Sequence, residues 1–597
     1  MVYETSYESG RTPFIPDTKR GYWANPYDFV YAGLGLAFRL DVFTWFYLMQ
    51  LSVISYVPIY LISLCIYIIP FIVIKSFLGQ FSSSGYISAF RLTPIFKGIG
   101  YVSLALNICV VSYYSIFAMV PLVYMFASMQ PTLPWGCEGL KNWTHKLTER
   151  EKINVCNLYV QNETDHTYKN IFYNHHIPSV LYFKTLFNDI NLFKYGSFAK
   201  FFMSWQLLVC AIIVWTVAII IFYKFFNTER FGQIIRYTVW ILLGLLVLLI
   251  IRFSFLHNSG AVYARFFTLT WSDITNGFAS IPVYGLTAFG PGWGIFITLS
   301  SFNKFKTNIM KQSWFIGLGQ MLIVIGLDLL SNLTRQHFSE LTNFKYFSDV
   351  EYLWVLYLSP ASVMSHMEWA NLWTILYYFM LFLSGMLLII TQLFTILTTI
   401  FDEFAALRER KAEVCMGLIA ATAAISLYFT SNHGVIYFVV LLTDTYITQT
   451  LINLVLLLIV LWIYGRERFQ RDIEFMINER FSTWKINFLR FVAPLGMLMI
   501  LLYGFVLAFF GHLASNIVIA VFALIFIIIP WLLIPVYVVY AMRHGMGSFK
   551  TRFQRSCRPN DWYPVEQEDR QCYEEAMCNM DITHQLNEIT DNDISSI

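Results

Sequence analysis

The chain alternates between long apolar runs and short breaks rich in charged or turn-forming residues. A helix needs about 20 mostly apolar residues to cross a hydrocarbon layer roughly 30 Å thick. The pattern therefore predicts an all-α polytopic membrane protein with about twelve transmembrane helices. The predicted spans lie near residues 29–55, 57–78, 99–127, 202–226, 234–256, 277–302, 313–331, 370–401, 413–430, 435–464, 487–510 and 517–542.

Composition supports the membrane interpretation. Hydrophobic residues make up 57% of the 597 positions and charged residues 13%, whereas soluble domains average about 45–50% and about 25%. The formal net charge of +3 is too small for a basic nucleic-acid surface, so the expected partner is the lipid bilayer and not nucleic acid. Nine cysteines in so long a chain exclude a disulfide scaffold.

Positive charges between the spans predict the orientation. Lys and Arg near span ends are retained on the cytoplasmic side, and here they fill every second loop. We therefore expect a cytoplasmic N-terminal segment at 1–28, with no signal peptide, followed by a twelve-span domain at 29–542. The basic loop residues are Arg91, Lys97, Lys224, Arg230, Arg236, Lys304, Lys306, Lys311, Arg408, Arg410, Lys411, Arg466, Arg468 and Arg471.

The longest loop, residues 128–200, falls on the outer side in this topology. It contains glycan acceptor patterns at Asn142 and Asn162. It also contains Cys137 and Cys156, which would close a disulfide in an oxidising compartment. We expect this loop to be extracellular, glycosylated and disulfide-bonded.

The C-terminal tail, residues 543–597, changes from basic to acidic along its length. Its composition predicts a cytoplasmic, mostly disordered segment. The last residues, Ser595-Ser596-Ile597, fit a PDZ partner because a hydroxyl lies two places before a terminal apolar residue. An unremarkable terminus is the simpler interpretation.

The sequence contains no phosphate-binding loop, zinc-protease helix or nucleophile elbow, so it does not predict an enzyme. Flexible or polar positions inside apolar spans are the remaining candidates for function, because irregular backbone at membrane depth is tolerated where it lines a cavity. Two spans contain such positions.

In the first span, Gly33 and Gly35 precede Arg39. Glycines can expose backbone groups to a ligand, and an arginine in a span needs a partner such as Asp41 or Asp444. The alternative is a shorter span with Arg39 at the membrane interface.

The sixth span is interrupted by Gly290-Pro291-Gly292. Proline removes a helix donor and the glycines let the chain turn, so two half-helices are expected, with ends that favour ionic ligands. A plain kink is the alternative. Interrupted first and sixth spans are the pair that a five-plus-five inverted repeat would place together.

Several motifs, in chain order, resemble the neurotransmitter:sodium symporter family. They cover about residues 25–545 and are specific as a set. The resemblance implies twelve helices, the first ten forming a five-plus-five inverted repeat. The motifs are Gly33-Leu-Gly35…Arg39, Leu78-Gly79-Gln80-Phe81, Pro94-Ile-Phe-Lys97-Gly98-Ile-Gly100-Tyr101, Ser112-Tyr113-Tyr114, Leu133-Pro134-Trp135…Cys137, Gly290-Pro291-Gly292, Ser301-Phe-Asn303-Lys304-Phe305, Phe401-Asp402-Glu403-Phe404 and Trp462-Ile-Tyr464-Gly465.

The resemblance also implies roles for individual residues. Gly33 and Gly35 would offer backbone to the carboxylate of an amino-acid substrate, and Tyr114 its hydroxyl. Amine carriers of this family have Asp where this chain has Gly33, so we expect a substrate that brings its own carboxylate. The implied substrate residues are Gly33, Gly35, Tyr114, Thr287, Phe289 and Gly290, and the implied outer gate is Arg39 with Asp444.

The family's ion sites are where this chain differs. Sodium needs several oxygen ligands once its water is removed, and most of the family's side-chain oxygens are missing here. We expect sodium as the coupling ion on the resemblance alone, with chloride coupling in doubt. The sodium-site positions are Phe29, Ala32, Leu36, Ala288, Gln320, Ser384, Leu387 and Leu388, and the chloride-site positions are Val73, Tyr284, Ala288 and Val324, with Lys75 replacing an acidic residue.

These features predict a plasma-membrane secondary active transporter that moves small amino acids or related zwitterions by alternating access. The alternative that fits the missing ion ligands is a sensor or scaffold that keeps the fold but is transport-inactive or sodium-independent. A channel-like leak is a third interpretation. Sodium-dependent uptake separates the first from the second.

Overall fold

The computed structural model describes residues 13–17, 19–39, 52–136, 139, 178–187, 201–225, 227–256, 259–271, 273–275, 277, 294–342, 358, 360–515, 521, 525 and 528–577. Within these ranges the named elements are all helices. Seven are long and apolar enough to cross a membrane, and one bent pair would make eight. The predicted all-α polytopic class is confirmed.

The helices have the following bounds in chain order: α1 Asp28–Gly35, α2 Val53–Ser63, α3 Ile69–Ser82, α4 Gly98–Tyr114, α5 Ile116–Ala127, α6 Pro178–Thr185, α7 Trp205–Phe225, α8 Thr228–Ser254, α9 Ser259–Phe266, α10 Ile295–Ser300, α11 Ile309–Thr342, α12 Ala370–Glu403, α13 Lys411–Ser426, α14 Asn432–Leu458, α15 Arg466–Ile477, α16 Thr483–Ser515, α17 Leu533–His544 and α18 Phe549–Ser556.

The first span is interrupted, as the sequence predicts. Helix α1 tightens into a 3₁₀ turn at Leu36–Phe38, and Arg39 leaves the helical conformation with φ −56° and ψ 133°. Residues 40–51 lie outside the described ranges. In the sixth span, α10 begins after Gly294, whose φ of 85° is left-handed, while the Gly290-Pro291-Gly292 break itself lies outside the described residues.

The second span is longer and more bent than predicted. The apolar run 57–78 predicts one straight helix, but α2 and α3 extend from Val53 to Ser82 and meet at an angle of 42°. A π-helical turn at Leu64–Ile68 joins them, just before Pro70. Proline cannot donate a backbone hydrogen bond, and widened turns accommodate such a loss.

Helix α12 is the central element of the bundle. It packs along α4 and α5 on one side and contacts α1, α8 and α10 on the others. A Cβ built at Gly385 would lie 3.0 Å from Phe117 O on α5, so the glycine permits this close approach. The candidate site residues on α1, α4 and α12 are positioned by this packing.

The prediction of a mostly disordered tail is wrong for residues 543–577. Trp562 stacks on Phe81 with ring centroids 5.0 Å apart, and Tyr573 OH donates to Asp472 Oδ1 at 3.1 Å. Both side chains are buried. The prediction relied on the acidic composition and overlooked these two aromatic residues. Their burial offsets the entropy lost when the segment becomes ordered. Residues 578–597 are outside the described ranges.

The same segment contacts the N-terminal segment. Phe14 N donates to Asp561 Oδ2 at 3.2 Å. Arg91 Nη1 donates to Asp561 O at 3.0 Å, and its guanidinium lies 3.4 Å from the centroid of the Phe14 ring. Both ends of the described chain therefore meet at the loop between α3 and α4.

Candidate functional site

Two glycines of α1 lie in close contact with neighbouring helices. A Cβ built at Gly33 would lie 2.9 Å from Ile316 Cδ1 on α11, and one at Gly35 would lie 2.8 Å from Leu387 Cδ2 on α12. A real side-chain carbon does not fit at such distances without movement of the neighbour. The glycines therefore have a packing role, which the sequence prediction did not include.

Gln320 connects α11 to the backbone of α1. Its Nε2 donates to Gly33 O, and its side chain is fully buried. Its Oε1 has no hydrogen-bond partner among the residues that the structure describes. The sequence analysis counted Gln320 among the altered ion ligands, yet the side chain brings an amide oxygen next to a predicted substrate position.

The remaining sodium positions on α1 and α12 carry mainly hydrocarbon. Leu36, Leu387 and Leu388 are buried and supply no oxygen from their side chains. Ser384 does carry a hydroxyl, but it donates to Phe38 O at the end of the first helix. Phe29 and Ala32, the other two positions, are buried in the same region.

Tyr114 lies at the end of α4, before the turn at Ser115. It is buried, with its ring centroid 4.5 Å from that of Phe117. The neighbouring Tyr113 faces a different helix, because its OH donates to Thr445 Oγ1 on α14 at 3.1 Å. The Phe117 ring in turn packs against Phe438 of α14 at 4.9 Å, so both tyrosines belong to an aromatic cluster at the end of α4.

Arg39 is only 1% exposed, which argues against the alternative of an arginine at the membrane interface. Asp444 belongs to α14, but its side chain is outside what the structure describes. The predicted outer gate is therefore not tested by these contacts.

The other predicted site residues lie outside the described ranges. They are Thr287, Ala288, Phe289 and Gly290 of the sixth span, Tyr284 before them, Cys137 and Cys156 of the predicted disulfide, and Asn142 and Asn162 of the predicted glycan sites.

At the chloride positions, Val73 and Val324 are buried valines without a polar side-chain atom. The sequence analysis missed a hydroxyl between α2 and α11: Tyr60 OH donates to Gly317 O at 3.3 Å, three residues before Gln320. Lys75 is buried on α3, with its Nζ 4.5 Å from the centroid of the Phe71 ring. A tyrosine within an apolar run gives no sequence signal of its own.

One end of the bundle, which we call the closed end, contains a buried ion pair between Arg20 and Asp402. Arg20 Nη2 lies 3.2 Å from Asp402 Oδ2, and Gly85 N donates to the same carboxylate oxygen at 2.7 Å. Both charged side chains are largely buried, so the pair is shielded from water.

Arg20 makes further contacts at the closed end. Its guanidinium donates to Ser83 O and Ser301 Oγ and lies 4.2 Å from the centroid of the Phe302 ring. Burial lowers the pKa of Arg20, and the nearby Asp402 carboxylate acts in the opposite direction. The sequence analysis assigned residues 1–28 to a cytoplasmic segment and gave Arg20 no role, although it noted the Asp402 motif.

The family model for sodium:neurotransmitter symporters matches residues 20–545. The chain belongs to the sodium:neurotransmitter symporter family. This confirms the resemblance inferred from the motifs, and the family fold has the predicted twelve spans. Members of the family are sodium-coupled transporters and not enzymes, so the predicted functional class is confirmed as well.

Curated relatives span nearly the whole chain at low identity. The sodium- and chloride-dependent neutral and basic amino acid transporter B(0+) of Homo sapiens is 24% identical over 92% of this chain and 90% of its own length. The sodium- and chloride-dependent glycine transporter 1 of Xenopus laevis is 25% identical over 92% and 89%. The sodium-dependent nutrient amino acid transporter 1 of Drosophila melanogaster is 25% identical over 93% and 89%.

Proposed function

We propose that this symporter carries small neutral amino acids or related zwitterions into the cell across the plasma membrane by alternating access. The observation that carries the proposal is the hydrogen bond from Gln320 Nε2 to Gly33 O. It joins a predicted ion position to a predicted substrate position and leaves Gln320 Oε1 without a described partner. Ion and substrate would therefore bind side by side, so that each can change the affinity for the other.

The substrate would be held by its carboxylate. Backbone groups of Gly33 and Gly35 and the hydroxyl of Tyr114 are the proposed contacts, and Thr287, Phe289 and Gly290 complete the proposed pocket. An amine without a carboxylate is a poor candidate, because position 33 offers no acidic side chain. The relatives named for amino acids and glycine support this choice.

Two gates would alternate. Arg20 and Asp402 would close the cytoplasmic side, in agreement with the basic loops, which predict that both termini lie inside. Arg39 and Asp444 would form the outer gate. In this assignment the closed end faces the cytoplasm, and an amino acid would enter from the outside.

A single sodium ion is the proposed coupling ion. Gln320 Oε1 can contribute one oxygen, whereas Leu387 and Leu388 offer only hydrocarbon at the second position. Sodium binds poorly without oxygen ligands, so we propose that the second site is lost. For the same reason we expect chloride to be dispensable, since Val73 and Val324 offer it no donor.

The outer loop and the terminus complete the proposal. Loop 128–200 would be extracellular, glycosylated at Asn142 and Asn162 and bridged between Cys137 and Cys156. Recruitment of a PDZ domain by Ser595-Ser596-Ile597 stays a prediction from the sequence alone.

The test is uptake of labelled neutral amino acids into cells that express the chain, with external sodium present or replaced by a large organic cation. We expect accumulation only with sodium. Tyr114→Phe should lower uptake about tenfold through the lost hydroxyl, while Tyr223→Phe, at a position that is 84% exposed, should not.

Two results would count against the proposal. Absence of uptake by a chain that reaches the cell surface would favour the sensor or scaffold. Equal accumulation without sodium would favour a sodium-independent carrier.

A further inference from the structure

Gln392 on α12 is a buried glutamine whose amide makes no hydrogen bond. The residue is 0% exposed, and neither Nε2 nor Oε1 has a partner among the residues that the structure describes. Buried amides are normally paired, because an unpaired donor or acceptor gives up its water without compensation. An amide with both ends unpaired is therefore a candidate for binding a ligand.

Two contacts show which way Gln392 faces. A Cβ at Gly385 would lie 3.0 Å from Phe117 O on α5, and Tyr101 OH on α4 donates to Glu403 Oε1 at 3.1 Å. Gln392 lies seven residues after Gly385 and eleven before Glu403. Both spacings return to nearly the same face of a helix with 3.6 residues per turn. Gln392 therefore lies on the face of α12 that packs against the third span.

The same contacts place Gln392 relative to Tyr114. The third span and α12 run antiparallel, since residue 117 meets 385 and residue 101 meets 403. Interpolation between these pairs brings Tyr114 level with Leu388. Gln392 follows four residues later, one helical turn or about 5–6 Å toward the closed end.

We propose that Gln392 is a specificity-determining residue, which binds the side chain of the substrate and selects a neutral zwitterion that ends in a carboxamide. This inference rests on the proposed function, because it uses the carboxylate contacts at Gly33, Gly35 and Tyr114 as its starting point. A side chain with two methylenes and a carboxamide, as in glutamine, reaches about one helical turn from those contacts.

The chemistry favours a carboxamide over other side chains. Two amides can each donate and accept, so both Nε2 and Oε1 of Gln392 find partners in one ligand group. An apolar ligand of the same size leaves the Gln392 amide unpaired. A polar site rejects such a ligand more strongly than an apolar pocket rejects a ligand of slightly different size. A charged side chain would lose its hydration among buried uncharged residues such as Val111 of α4 and Leu388 of α12.

The experiment compares glutamine and leucine in the wild type, Gln392→Leu and Gln449→Leu. Gln449 is a matched control: it is buried with both amide atoms unpaired among the described residues. It lies on α14, one turn after Thr445, which accepts a hydrogen bond from Tyr113 OH. Uptake gives the preference for glutamine over leucine, and ligand-induced thermal stabilisation of the purified full-length protein gives binding without transport.

We expect the wild type to prefer glutamine. Gln392→Leu should reduce that preference about 10- to 100-fold, the effect of leaving an amide group of the substrate unpaired. Folding should be unaffected, because leucine has a similar size and removes an unpaired polar group. Gln449→Leu should keep the wild-type preference.

The outcomes separate this inference from the proposed function. Uptake with an unchanged preference in Gln392→Leu, or a wild type that prefers leucine, overturns the inference and leaves symport standing. Stabilisation by glutamine that Gln392→Leu abolishes, without any uptake, supports the inference and overturns transport. Neither uptake nor stabilisation by either amino acid overturns both.

Discussion

At the scale of single residues, the proposed sodium site depends on Gln320. Of the positions Leu36, Gln320, Leu387 and Leu388, only Gln320 has an oxygen in its side chain. Its amide nitrogen is already held by Gly33 O, which fixes the orientation of the amide beside α1. An oxygen that is oriented in advance binds a cation with little loss of side-chain entropy.

Gln320→Leu should weaken sodium activation of uptake. Loss of one ligand from a small set, together with the lost bond to Gly33, should raise the sodium concentration for half-maximal uptake about tenfold or more. Gln320→Asn keeps the amide and should be intermediate. The measurement is uptake as a function of external sodium, and an unchanged sodium curve in Gln320→Leu would place the ion elsewhere.

At the scale of helices, the close contact between α3 and α10 depends on one glycine. At Gly79 the backbone of α3 approaches α10 so closely that a Cβ would overlap Ile297 O and Ser300 Oγ. Backbone atoms of a short buried helix cannot move aside as the end of a side chain can. This single glycine therefore permits the half-helix after the sixth-span break to lie against the second span.

Gly79→Ala should prevent correct assembly of these two helices. We expect a cost of about 3 kcal/mol or more from overpacking, and little mature protein at the surface. Gly244→Ala on α8 is the control, because a Cβ there meets nothing within 4 Å. Cell-surface biotinylation measures the result, and normal surface amounts of Gly79→Ala would show that α10 can move away.

At the scale of the whole molecule, the C-terminal segment is part of the folded unit. Trp562 is packed between Phe81 and Tyr464, and Tyr573 reaches Asp472 at the end of the tenth span. Arg91 then connects the segment to Phe14. The bundle, the N-terminal segment and residues 557–577 therefore share one interface at the closed end.

Trp562→Ala should release this segment. Removing a buried tryptophan costs about 3–5 kcal/mol, enough to leave residues 543–577 exposed to protease while the bundle stays folded. Phe549→Ala, at a position that is 72% exposed, should leave the segment protected. Limited proteolysis of right-side-out and inverted vesicles gives the readout, and equal protection in both variants would contradict the anchoring role of Trp562.

Much of the architecture could be predicted from the sequence, because hydropathy directly reports whether a helix faces lipid or protein. The spans α4–α5, α7, α8, α11 and α12 lie where the apolar runs predict them. The end of α1 near Arg39 was also predictable, since glycine pairs and an arginine are unusual inside a span. The bend at Leu64–Ile68 was not, because a proline in an apolar run predicts neither the size nor the place of a widened turn.

Site residues were harder to predict than spans, and for a different reason. Gln320 and Gln392 are isolated amides in apolar stretches of their helices. Only the packing of neighbouring helices shows that Gln320 Oε1 and both amide atoms of Gln392 are left unpaired among the described residues. Arg20 is one of several charged residues in the N-terminal segment, and only the structure shows its contacts with Asp402 and Phe302. Composition averages over such residues, whereas the role of each one depends on residues far away in the chain.

The meeting of Phe14 with Asp561 also has a consequence for biosynthesis. The two residues are separated by 547 positions, so this contact forms only after the ribosome has translated Asp561. The spans can insert one after another, but the closed end is completed last. A premature stop codon shortly before Asp561 would leave every span intact and still remove Asp561 O, the partner of Arg91 Nη1. Such a chain would present a defect at its closed end that cellular quality control can recognise before export.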